Sequence, residues 1–118
     1  MNLNEYPMAI AQVQRQILGL DQELIGLQET VSFVAVELEK QVIADISLTN
    51  DTKRKARRLE LQQSDPDFYQ VSLDLKKAQA QREAREIELQ LLLNQFSVLK
   101  LTERRAIALL ELHSSTAV

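Results

Sequence analysis

The sequence predicts an all-α fold: a long antiparallel two-helix hairpin, a coiled coil, that pairs with a second copy into a dimeric four-helix bundle. Three observations predict it. Eleven apolar residues, Leu3, Tyr6, Ile10, Val13, Ile17, Leu20, Leu24, Leu27, Val31, Val34 and Leu38, alternate strictly in steps of three and four. That 3.5-residue average is the heptad spacing of a helix whose apolar seam lies against another helix. Ala, Leu, Gln, Glu, Lys and Arg dominate the rest, and these lose little side-chain freedom in a helix. Only two glycines and two prolines occur in 118 residues, and aromatics are 4% with no Trp. There are few places to turn and little of the aromatic content of a sandwich or barrel.

The first helix is predicted over about 5–47. Asn4 suits the cap, Glu5 suits the positive end of the helix dipole, and Pro7 is tolerated in the first turn. Beyond Leu38, Gln41 and Asp45 fall where apolar residues are due, and Val42 and Ile46 take over. Such a four-residue slip locally unwinds a supercoil. Ser, Thr, Asn and Asp cluster near Ser47 to Asn50 and end the helix. A basic bend follows over 48–66. Nineteen structureless residues are unusual in a compact domain, so Thr52 to Gln63 is expected to carry a short helix.

The second helix is predicted over about 67–113. Asp65 can cap it and Pro66 can take its first position. One seam holds Phe68, Val71, Leu75, Ala78, Leu89, Leu92, Phe96 and Leu99, then Ala106 and Leu110. A neighbouring seam holds Ala80, Ala84, Ile87, Leu91, Val98, Leu101, Ala108 and Leu112. After His113 the Ser-Ser-Thr run is expected to fray the helix. With the bend centred near Arg57, Phe33 and Val34 face Ala80 and Ala84, and Gly19 and Gly26 face Leu89 to Phe96. The two glycines, seven apart on one face, then admit a close neighbour.

A single hairpin has one contact surface. Leu18, Ile25, Phe33, Val36 and Ile43 lie off the first helix's seam and would form a long exposed patch. A homodimer buries them. The self-association seam is expected to use Ile10, Val13, Ile17, Leu20, Leu24, Leu27, Val31, Val34, Leu38, Leu89, Leu92, Phe96 and Leu99.

Composition narrows the chemistry. There is no cysteine, which removes disulfides, thiolate catalysis and cysteine-zinc sites. The opening MNLNEYPM lacks the basic region and apolar core of a signal peptide, and no apolar run approaches a membrane span. A cytoplasmic location is expected. The net charge of −3 is unevenly laid out: residues 1–48 carry seven acids and two bases, residues 49–66 three acids and five bases, residues 67–118 seven of each.

That basic excess is the run Lys53, Arg54, Lys55, Arg57 and Arg58, the candidate contact for nucleic acid or an acidic partner. Phe68 and Tyr69 lie near enough in sequence to stack on bases. A solvated bend that complements the negative end of the first helix is the plainer reading. His113 is the sole histidine and, in the last turn expected of the second helix, reads as an answer to the helix dipole. Glu83, Glu86 and Glu88 with Arg82 and Arg85 read as surface pairs. Arg82 and Arg85 interrupt a seam, which leaves them to reach solvent or an acid such as Glu29 or Glu37. Asn94 lies in the apolar stretch, either setting register or facing solvent. The terminal Ser115-Thr116-Ala117-Val118 has the form of a strand-adding tail, a common ending.

The middle segment also resembles a group of small, largely uncharacterised coiled-coil proteins of bacteria and phages. The likeness covers residues 48–101 and rests on Leu48-Thr49-Asn50-Asp51, the Lys/Arg run, Asp65-Pro66 with Phe68 or Tyr69, and Asn94-x-Phe96. It implies a helix, a basic polar bend and a helix, with an association to DNA recombination or replication.

These readings lead to a non-enzymatic scaffold or adaptor that self-associates as a homodimer and binds a protein partner through helix surfaces. The alternative is an accessory nucleic-acid-binding protein using the basic bend. No nucleophile-base pair, phosphate loop or metal-ligand spacing occurs. No catalytic residue, cofactor, metal, membrane or small-molecule substrate is therefore expected.

Overall fold

The computed structural model describes residues 1–116. Ala117 and Val118 of the terminal tail lie outside the described residues. Three helices follow one another, α1 over Tyr6–Ala44, α2 over Asp51–Ser64 and α3 over Pro66–Thr116, and no strand occurs among the described residues.

α1 starts two residues later than its expected cap. A turn precedes it, closed by the Glu5 N–H donating to the Asn2 carbonyl at 3.1 Å. The Glu5 carboxylate accepts from the Asn2 N–H at 3.3 Å. The helix also stops short of Ser47, at Ala44. The Asp45 carboxylate accepts from the Ser47 N–H at 3.0 Å and its hydroxyl at 2.6 Å. This local alternative to the helical ladder ends the helix, as Asp and Ser commonly do. Both bonds favour the carboxylate and hold Asp45 below its ordinary pKa.

The short helix expected over Thr52 to Gln63 is present as α2, one residue longer at each end. Asn50, in extended backbone, accepts the Lys53 N–H on its side chain at 2.9 Å and caps α2. Between α2 and α3 the helical run is broken at Asp65 alone. Pro66 removes a donor and pushes the preceding residue out of helical backbone, so Asp65 adopts φ −77° and ψ 118°. Asp65 then accepts the Asp67 N–H at 3.0 Å, capping α3 with Pro66 at the first position. α3 continues past His113 to Thr116, so the polar Ser114 and Ser115 extend the helix instead of fraying it. The Ser115 hydroxyl donates to the Glu111 carbonyl at 3.1 Å.

The chain divides into two compact units. The first joins Met1–Leu18 to the chain from Glu83 onward. Its core is Tyr6, Ile10, Val13 and Ile17 of α1. The Tyr6 ring stacks on Phe96 with centroids 5.5 Å apart and planes 10° from parallel. Its hydroxyl lies 3.5 Å from the Gln95 side-chain oxygen. The second unit is Gly19–Arg82, with Leu38, Val42, Val71 and Ala78 buried. Val42 is only 1% exposed and carries the expected four-residue slip into that core, whereas Ile46, expected to follow it, lies past the end of α1 and is 96% exposed.

The two glycines do not serve a close approach. Nothing lies within 4 Å of a Cβ built at Gly19 or Gly26, so neither position is the tight contact expected of it. Between them on α1, Asp21 pairs with Arg82.

Candidate functional site

Two features were singled out by the sequence as functional surfaces, the basic run and the apolar seams. The basic run occupies the first two turns of α2, from Lys53 to Arg58. At 100° per residue the run places Lys53, Arg54, Arg57 and Arg58 on one broad face of the helix, with Lys55 at the edge of that face. It also sits at the positive end of its own helix dipole, where cations are disfavoured. The protein answers with acids. Arg54 pairs with Asp51 at 3.2 Å and Arg57 with Glu60 at 3.0 Å. The Arg57 charge also helps hold Asp45 ionised, just past the end of α1. The Lys53 ammonium donates to the Thr49 hydroxyl at 3.5 Å.

Arg58 makes the most specific contact of the five. Its guanidinium donates twice to the Glu39 carboxylate, Nε to Oε2 at 2.5 Å and Nη2 to Oε1 at 2.8 Å. A planar fork on a carboxylate is geometrically specific as well as strong. These hydrogen bonds, with the Arg58 charge, hold the Glu39 carboxyl below its ordinary value, and Glu39 in turn raises Arg58. Of the three arginines only Arg58 ties α2 to another helix; the pairs of Arg54 and Arg57 are exposed ones within their own helix. Tyr69 is exposed and Phe68 half-buried, so only the first offers a free ring face.

Arg82 and Arg85, which interrupt a seam, find acids other than those expected. Arg82 reaches Asp21 and Arg85 pairs with Glu88 on its own helix; Glu29 and Glu37 are not their partners, and Glu37 instead accepts from Lys40 at 2.8 Å. Asp21 and Glu39 are the residues that sequence reasoning missed. Each follows a seam position directly, Leu20 and Leu38, and an acid on that flank is the signal that could have found them. No group of three or more acidic or histidine side chains could hold a metal among the described residues. His113 lies in the last turn of α3.

The apolar positions separate into two kinds. Ile10, Val13, Ile17 and Leu38 are buried, and Leu20, Leu24, Leu27, Val31 and Val34 are half-buried. On α3, Leu89, Leu92, Phe96 and Leu99 are half-buried. These residues face inward in their own units. Phe96 is doubly engaged, by Tyr6 and by the Lys100 ammonium 4.5 Å from its centroid, a cation–π contact.

Other apolar residues face outward. On α1, Leu18, Ile25, Phe33, Val36 and Ile43 are all more than half exposed. On α3 a second row runs Ala84, Ile87, Leu91, Asn94, Val98, Leu101, Arg105, Ala108 and Leu112 in steps of three and four, and every position is exposed. From Leu101 to Ser115 no residue of α3 is even half-buried. A shallow groove of about 360 Å³, lined by Met1, Tyr6, Gln95, Val98, Leu99 and Thr102, opens beside this row. Its lining side chains carry no charge.

No helix among the described residues is long and apolar enough to cross a membrane. No family model matches the chain, and no curated protein or solved structure does. The likeness to small bacterial and phage coiled-coil proteins therefore rests on the residues quoted for it.

Proposed function

We propose that this protein is a non-enzymatic helical scaffold or adaptor. In this reading α1 and α3 form an antiparallel hairpin, two hairpins associate as a four-helix bundle, and the assembled helix surfaces hold a protein partner. The observation that carries the reading is the outward apolar surface of α1 and α3. Such rows are costly in water at about 25 cal/mol per Å² of apolar surface, and exposed patches of this kind mark interaction sites. What supports the hairpin lies within the second unit: Arg82 meets Asp21 while Ala44 connects to Pro66 through α2, as a chain that folds back on itself would arrange them.

Light scattering after gel filtration tests the reading. A dimer mass at micromolar concentration is expected, and a monomer overturns self-association. A fluorescence-anisotropy titration with single- and double-stranded DNA tests the nucleic-acid alternative. With Arg54, Arg57 and Arg58 already paired to acids, binding is expected to be absent at physiological salt. Salt-sensitive binding that vanishes when Lys53, Arg54, Lys55, Arg57 and Arg58 are neutralised would replace the scaffold reading with the alternative.

A further inference from the structure

We propose that a second copy of this chain covers the outward row of α3, running antiparallel to it, with the two-fold axis midway between Val98 and Leu101. The proposal deepens the self-association reading and rests on it. Three observations carry it.

The row keeps a heptad spacing throughout, with two polar interruptions at Asn94 and Arg105. A sustained 3.5-residue period is the mark of a surface matched to another helix. The row is also exposed at every position, and the part of α3 from Leu101 to Ser115 has no half-buried residue.

The third observation selects the occupant. The row is a palindrome in polarity. Folded about the point between Val98 and Leu101, Val98 faces Leu101 of the second copy and Asn94 faces Arg105. Leu91 then faces Ala108, and Ile87 faces Leu112. Each layer occurs twice by symmetry, as an isologous contact requires. Apolar meets apolar, large Leu91 meets small Ala108, and the two polar interruptions meet each other. The Arg105 guanidinium can donate to the Asn94 amide oxygen, so neither is stranded in an apolar seam.

The other registers fail on the same residues. A parallel pair sets Arg105 on Arg105 and brings Glu83 near Glu88, both like-charged. An antiparallel pair slipped one heptad one way puts Arg105 against Ile87 and Asn94 against Val98. Slipped the other way, Arg105 meets Leu101 and Asn94 meets Leu112. Only the central register satisfies both polar residues. It also seats Leu101 against Val98, which borders the shallow groove of the first unit.

The absence of native cysteine makes a clean test available. Full-length Asn94→Cys and full-length Arg105→Cys chains are mixed, equilibrated and oxidised. A mixed disulfide exceeding either homodisulfide at least tenfold is expected, because the two positions share a layer within disulfide reach. A dominant Asn94→Cys homodisulfide overturns the antiparallel direction. Cross-linking no faster than random encounter overturns the seam. Leu91→Cys with Ala108→Cys is the second pair, and must give the same preference for the proposal to stand. Light scattering on the unoxidised wild-type chain separates the two failures. A dimer without the mixed disulfide sinks this register alone, whereas a monomer sinks self-association as well.

Discussion

The heptad row of α1 and the second row of α3 have the same spacing and opposite surroundings. From Ile10 to Leu38 every row position of α1 is buried or half-buried, whereas from Ala84 to Leu112 every row position of α3 is exposed. Both are mostly aliphatic, so hydrophobicity does not separate them. What separates them is company. The α1 row lies within two units that each supply a neighbour, and the α3 row has the same demand for burial turned outward. A heptad thus states that a helix wants a companion without stating which chain supplies it.

The largest expected effect comes from charging the outward row. Val98→Asp with Leu101→Asp places four carboxylates about the proposed two-fold axis. Dimer affinity should fall by about a thousandfold or more, on the order of 4 kcal/mol. Sedimentation equilibrium reads this directly. Near-wild-type helicity is expected to remain, since both positions are more than half exposed. An unchanged dimer would show that the row is solvated, and the contrast between the rows would lose its meaning.

The complementary change strikes the inward row. Leu38 is almost fully buried, and Leu38→Ala should lower stability by about 2–5 kcal/mol. Urea denaturation of the Val98→Asp, Leu101→Asp background isolates this from assembly, because a dimer's stability depends on its concentration. A loss below about 1 kcal/mol would mean that the Leu38 site collapses around the smaller residue.

These two rows also show how much the sequence made legible. The all-α class, the cap at Asp65 and Pro66, and the inward seam of α1 follow from local rules: spacing, caps and the missing donor of proline. The helix α2 was legible to within one residue at each end, from the cost of leaving so long a segment without structure, although Ala56, Leu59 and Leu61 give a sparse pattern and no α2 residue is buried. Register was not legible. Centring the bend on Arg57 set the glycines against bulky residues, whereas Asp21 pairs with Arg82. Apolar side chains on a regular seam are nearly interchangeable, so a slip by whole turns costs the pattern little. Specific pairs such as Tyr6 on Phe96 and Arg58 on Glu39 break that degeneracy, and their geometry cannot be read from spacing. The basic run shows the same limit. Five cations in six residues look like a binding patch, but three of them, Arg54, Arg57 and Arg58, have acids on α1 or a turn away on α2.

Gly26 offers a smaller effect on the same question. It sits inside α1 with nothing near its missing Cβ. Glycine is costly in a helix interior, so Gly26→Ala should stabilise the chain by about 0.5–1 kcal/mol. Thermal denaturation checks it. Destabilisation would mean that another helix closes on this face in the assembled protein, and the outward surface of α1 would then join that of α3 as a contact.

The smallest effect concerns the polar flank that fastens α2 beside the inward row. Arg58 holds the Glu39 carboxyl below its ordinary value of 4.5. A carboxylate stabilised in the folded state contributes its full share above the unfolded pKa, and loses it as the pH falls through the lowered folded value. Wild type should therefore be more stable than Glu39→Gln at neutral pH, and the gap should close in acid below 4.5. It should also narrow in high salt, because both side chains are about one-third exposed. Urea midpoints of the two proteins across pH and salt give the answer. A gap that ignores both would assign Glu39 a packing role, leaving the outward row of α3 and the inward row of α1 distinguished by apolar contacts alone. A gap that follows both would mean that this clamp helps choose which row of the molecule is turned inward.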